Sequence, residues 1–148
     1  MTSPDPAPSG ADTPLRLGDL QLAILRVLWH EGEATVVRIH EVVALERGGS
    51  ASTIATMLSK MEARDLVAHR KDGRQFVWRP LVAEDHARRS MVRDVTTRMF
   101  GGDPLELLNH LVRESEIGGE DLAALRAMIE RQASDDDSAR GDTRGGAA

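Results

Sequence analysis

Ser52, Thr53, Thr56, Ser59 and Lys60 are the residues whose types and spacing point to a chemistry. At about 100° per residue they share one side of a helix. On the other side Ala51, Met57, Leu58 and Met61 all fall within about 60° of Ile54. Ser and Thr are mediocre helix formers, because their hydroxyls compete for backbone hydrogen bonds. An ordinary solvated face would carry Glu, Lys and Gln instead. Short hydroxyls let a helix come close to a surface and bond base edges or phosphates. The chemistry expected of this face is therefore contact with double-stranded DNA, with Lys60 on a phosphate. Taken alone, a hydroxyl-rich surface helix without a partner fits the same pattern.

Other chemistries find little support. The five histidines, His30, His40, His69, His86 and His110, form no pair at the i+3 or i+4 spacing of a helical metal site. The chain has no cysteine, which excludes disulfides and thiolate metal centres and suits a reducing cytoplasm. No nucleophile elbow, phosphate loop or dinucleotide fingerprint is present. No catalytic residue, metal or cofactor is expected. No apolar run approaches the roughly 18 residues of a membrane span, and no secretory signal is visible. A cytoplasmic protein is the expectation.

The net charge of −5 argues against a nucleic-acid partner, but it is unevenly spread. Residues 16–82 hold ten bases against eight acids, whereas residues 83–148 hold nine bases against fourteen acids. Local charge steers a protein onto DNA more than the total does.

Several elements must position the hydroxyl face. Residues 1–14 contain four prolines and no apolar period, so a disordered tail is expected. Residues 18–30 read as a helix with apolar stripes on two sides, one including Leu20, Ile24 and Val27, the other Leu22, Leu25 and Trp29. Thr35 is a candidate N-cap for a second helix over residues 36–45. Gly48-Gly49 then turns the chain into the hydroxyl-lined helix, which gives a helix-turn-helix. Residues 66–71 and 74–79 read as two strands joined by Asp72-Gly73 in a type I′ hairpin turn. Phe76 and Trp78 are expected to point inward. Arg70, Lys71, Arg74 and Arg79 cluster near the tip and edges. A solvated edge with protective charges is the alternative for this hairpin.

Three short amphipathic helices follow. The first carries Met91, Val95 and Met99, the second Leu108 and Leu111, the third Leu122, Leu125 and Met128. So little apolar surface closes poorly in one copy, so these residues are expected to form a dimer interface. The fold class is mainly α. A winged helix-turn-helix domain at 15–82 is followed by a three-helix dimerisation domain at 83–132, and a disordered tail at 133–148.

The ordered runs LGDLQLAILRVLW, ATVVRIHEVV, STIATMLSKMEARDLV and KDGRQFVWRPLV resemble the BlaI/MecI family of penicillinase repressors. The resemblance extends over roughly residues 16–131. It implies a homodimeric, DNA-binding transcriptional repressor on a palindromic operator, controlling β-lactam-resistance or cell-envelope genes. It places Thr53 and Thr56 where bases are read. It also implies regulatory cleavage between Asn109 and His110 by a membrane-bound sensor protease. The sequence departs from the family pattern at Lys60-Met61, where Arg-Leu is usual, at Trp78, where Tyr is usual, and at His110, where Phe is usual. Arg70 and Arg74 would hold phosphate or enter the minor groove, and half-sites would lie roughly 10 bp apart. One rival is a MarR-like regulator with a small-molecule pocket near Trp29 and Trp78. A second is a winged helix that binds only proteins.

Overall fold

The two apolar stripes of the first helix set the packing order. In the computed structural model, which describes residues 15–114 and 116–142, this helix is α1 (Asp19–Glu31). Ile24, Leu25 and Leu28 on it are fully buried. Each such side chain contributes about 1.5–3 kcal/mol relative to exposure. Trp29, on the second stripe, donates its Nε1–H to Val82 O at 2.8 Å. Helix α1 is thus covered on two sides, as its pattern requires.

A short strand β1 (Ala34–Thr35) leads into α2 (Val36–Arg47), which Thr35 caps by accepting from Arg38 N at 3.2 Å. Helix α3 (Ala51–Ala63) buries Ile54, Leu58 and Met61. Its end is a left-handed cap. Asp65 sits at φ 58, Asp65 N–H donates to Glu62 O at 3.0 Å and Leu66 N–H to Met61 O at 3.0 Å. Leu66 and Met61 are both buried, which completes the motif.

Strands β2 (Val67–Asp72) and β3 (Gln75–Pro80) pair antiparallel from Val67–Pro80 to Asp72–Gln75, and β1 adds to the other side of β3. The loop is therefore Gly73-Arg74, one residue later than expected. Gly73 has φ 63, and Arg74 does not have positive φ. That is type II′, not I′, because only the first central position is left-handed. Trp78 points inward at 5% exposure, but Phe76 does not, at 45%. Phe76 lies too near the free end of the hairpin for the core to reach it. The buried indole N–H of Trp78 has no acceptor among the described residues, so packing holds that ring.

The chain divides into two units, Met1–Val95 and Thr96–Ala148. The division falls inside α4 (Glu84–Phe100) and not at residue 82. The physical reason is that the start of α4 packs on the first unit. Ala87 is buried, and Ser90 Oγ accepts from Leu15 N at 2.8 Å.

In the second unit, Asp103 caps α5 (Pro104–Arg113) by accepting from Leu105 N at 3.0 Å, with Pro104 in the first turn. Helix α6 runs Gly119–Asp142, so residues 133–142 are helical and not an irregular tail. That stretch has no proline, and Ala133, Ala139 and Arg140 favour helix. Ser134 helps satisfy the backbone by donating to Glu130 O at 3.0 Å. The expected tails at 1–14 and 143–148 lie outside the described residues.

Candidate nucleic-acid interface

Helix α3 presents Ser52, Thr53, Thr56, Ser59 and Lys60 to solvent along one face. Its opposite face is anchored in the core by Ile54, Leu58 and Met61. The hydroxyls are not equivalent. Ser50, the N-cap, accepts from Thr53 N at 3.2 Å and lies 3.1 Å from Ser52 Oγ and 3.0 Å from Thr53 Oγ1. Ser59 donates to Ala55 O at 3.2 Å. Thr56 has no hydrogen-bond partner among the described residues, and Lys60 no ion pair there. Ser52 and Thr53 therefore share their hydroxyls with the cap, and Thr53 keeps its methyl for an apolar contact. Ser59 spends its hydroxyl proton on its own helix and keeps its exposed oxygen as an acceptor. Thr56 leaves both its methyl and its hydroxyl open at the surface.

The wing sorts in the same way. Arg74 stands in the exposed hairpin loop, without a partner among the described residues. Arg70 is not free. Its Nε lies 3.2 Å and its Nη2 2.8 Å from the two carboxylate oxygens of Glu33, a bidentate pair. Both groups are exposed, so the pair is open to water and weak in stability terms. The hydrogen bonds from Arg70 hold the Glu33 carboxyl below the usual carboxylate range, aided by the charges of Arg70 and Arg79. Arg70 must leave Glu33 before it can hold a phosphate.

Sequence reasoning missed Ser50 and Glu33. Ser50 had a legible signal, a serine directly before the first helical residue. Glu33 had none, because 37 residues separate it from Arg70.

The rival reading needs a small-molecule pocket near Trp29 and Trp78, and both side chains are engaged with the protein itself. Trp29 bonds Val82 O and Trp78 is in the core. A groove of about 330 Å³ lies instead on the first unit, lined by Ala23, Arg26, Val27, Val42 and Glu46 among others, and neither tryptophan lines it.

In the second unit Met99, Leu122 and Met128 are exposed, while Leu108, Leu111 and Leu125 are half-buried. On α4, Val95 is exposed and Met91 half-buried. No residue of α5 is buried. Asn109 and His110 are both exposed on α5, with the His110 ring 5.6 Å from that of Phe100. Among the described residues no cluster of metal-binding side chains occurs, and no helix is long and apolar enough to cross a membrane.

Residues 17–131 match the family model described as Penicillinase repressor. The chain is 28% identical over 116 residues to the transcriptional regulator BlaI of Mycobacterium tuberculosis, covering 77% of this chain and 83% of that one. It is 21% identical over 115 residues to the penicillinase repressor of Bacillus licheniformis, covering 78% and 90%. Among solved structures, the monomeric form of Bacillus licheniformis BlaI in complex with the blaP half-operator matches with 25% identity. That match covers 49% of this chain and 88% of that one, at a TM-score of 0.43.

Proposed function

The chain belongs to the penicillinase repressor family, and from that membership we propose how it acts. It is a DNA-binding transcriptional repressor. As a homodimer it occupies a palindromic operator, each copy placing α3 in a major groove and its wing beside the adjoining backbone. Thr56 reads a base edge, Thr53 offers its methyl to a thymine methyl, and Lys60 and Arg74 hold phosphates. Ser52 borders the phosphate nearest the start of α3. The genes controlled concern β-lactam resistance or the cell envelope, in keeping with the names of the relatives, and the protein acts in the cytoplasm. Release follows cutting at Asn109-His110 by a membrane-bound sensor protease. Those residues are exposed, but α5 must open before a protease can take the chain in extended form.

The observation that supports the DNA reading most is the pairing on one unit of an outward hydroxyl face with an exposed basic wing tip. The test is selection of duplexes from a randomised pool by the full chain, followed by gel shift. A palindrome with half-sites roughly 10 bp apart is expected. Thr56→Ala with Lys60→Ala should weaken binding to it by about tenfold or more. Selection of no sequence, or a double variant that binds as wild type does, overturns the reading.

A further inference from the structure

Helix α3 is gripped at both ends by a histidine from a neighbouring element. His40, on α2, places Nε2 at 2.9 Å from Gly49 O. A carbonyl only accepts, so Nε2 is the donor. Gly49 lies in the link between α2 and α3, where Gly48 and Gly49 have φ of 67 and 99. Gly48, with ψ −158, occupies a region open essentially to glycine alone. A link so permissive leaves the entry angle of α3 loosely set by the backbone. The His40 bond restrains it one residue before the Ser50 cap.

At the other end His69, on β2, donates from Nδ1 to the carboxylate of Glu62 in the last turn of α3. The His69 ring is itself held. Its centroid is 4.8 Å from that of Phe76, nearly edge-on at 73°, and 4.8 Å from that of Trp78. Trp78 is buried in the core, so Glu62 is tied through His69 to the rigid part of the sheet.

We propose that His40 and His69 are positioning residues for DNA recognition. His40 acts through Nε2 on the start of α3, and His69 acts through Nδ1 on its end. Together they set the angle between α3 and the wing, and so whether the two meet the duplex in register. The proposal rests on the DNA-binding reading above.

The test uses the full chain and two probes, the duplex selected by the wild type and a random duplex of equal length. The readout is the ratio of the two affinities, with the melting temperature measured alongside. His40→Ala and His69→Ala should each lower the ratio by about tenfold. His40→Gln, whose amide nitrogen stands near the place of Nε2, should restore most of it. His69→Asn, whose amide nitrogen stands near the place of Nδ1, should do the same. The exchanged pair, His40→Asn and His69→Gln, should not. Glu62→Ala removes the acceptor and leaves the ring packed, so it reports on the same bond if His69→Ala fails to fold. A ratio that stays at the wild-type value in the folded alanine variants and in Glu62→Ala overturns the proposal. So does equal rescue by either amide. Failure of the DNA-binding reading looks different, since the wild type would then select no sequence.

Discussion

Thr56 has three neighbours of its own kind on α3 whose hydroxyls are engaged, Ser52 and Thr53 with Ser50, and Ser59 with Ala55 O. Type and helical spacing placed all of these residues on one face, and the structure agrees. What spacing could not show is which hydroxyls remain available, because that depends on the N-cap and on back-bonding within the helix. Arg70 teaches the same lesson for charge. Its partner Glu33 comes from another part of the chain. The pair has a definite pH signature. The Glu33 carboxyl is held below its ordinary value, so its contribution is present above the usual carboxylate range and is lost as pH falls through the lowered value. Melting curves of wild type and Glu33→Gln should therefore differ slightly at neutral pH and converge as the pH falls through the lowered value. A difference that grows on acidification would contradict this.

At the scale of elements, apolar periodicity located the helices, and Thr35 marked the start of α2 correctly. The hairpin was legible in type but not in register. Asp-Gly is a strong turn pair, yet Gly73 takes the first central position here and Arg74 the second. The end of α3 also departs from the usual chemistry, since Asp65 holds the left-handed position that glycine normally fills. Asp65→Gly should relieve that conformation and raise stability by about 1 kcal/mol, less the extra freedom glycine gives the unfolded chain. Thermal unfolding measures it, and affinity for the selected duplex should not change. A lower melting temperature would mean that the Asp65 side chain stabilises the cap in a way its backbone bonds do not reveal.

At the scale of the whole molecule, two units were legible from the change in composition, while their border was not. The border falls inside α4 because Ala87 and Ser90 serve the first unit, which no local pattern announces. Helix α6 outlasted its apolar stripe for a related reason, since helix can persist where nothing needs burying. The apolar residues left exposed in the second unit are the basis for expecting a dimer. Leu122→Asp with Met128→Asp should give a monomer by sedimentation and lower affinity for the selected duplex by about 10²- to 10⁴-fold, as avidity is lost. A variant that remains dimeric would move the interface elsewhere.

Strand β2 is the outer rim of the sheet, and among the described residues nothing pairs with its far side. A six-residue rim with unpaired backbone groups is where sheets extend into fibres or precipitates. Arg70, Lys71 and Asp72 line its outer half. Their charges therefore keep hairpins of separate molecules apart in concentrated solution. Trimming them to retune operator choice would also lower the concentration at which the protein stays dispersed.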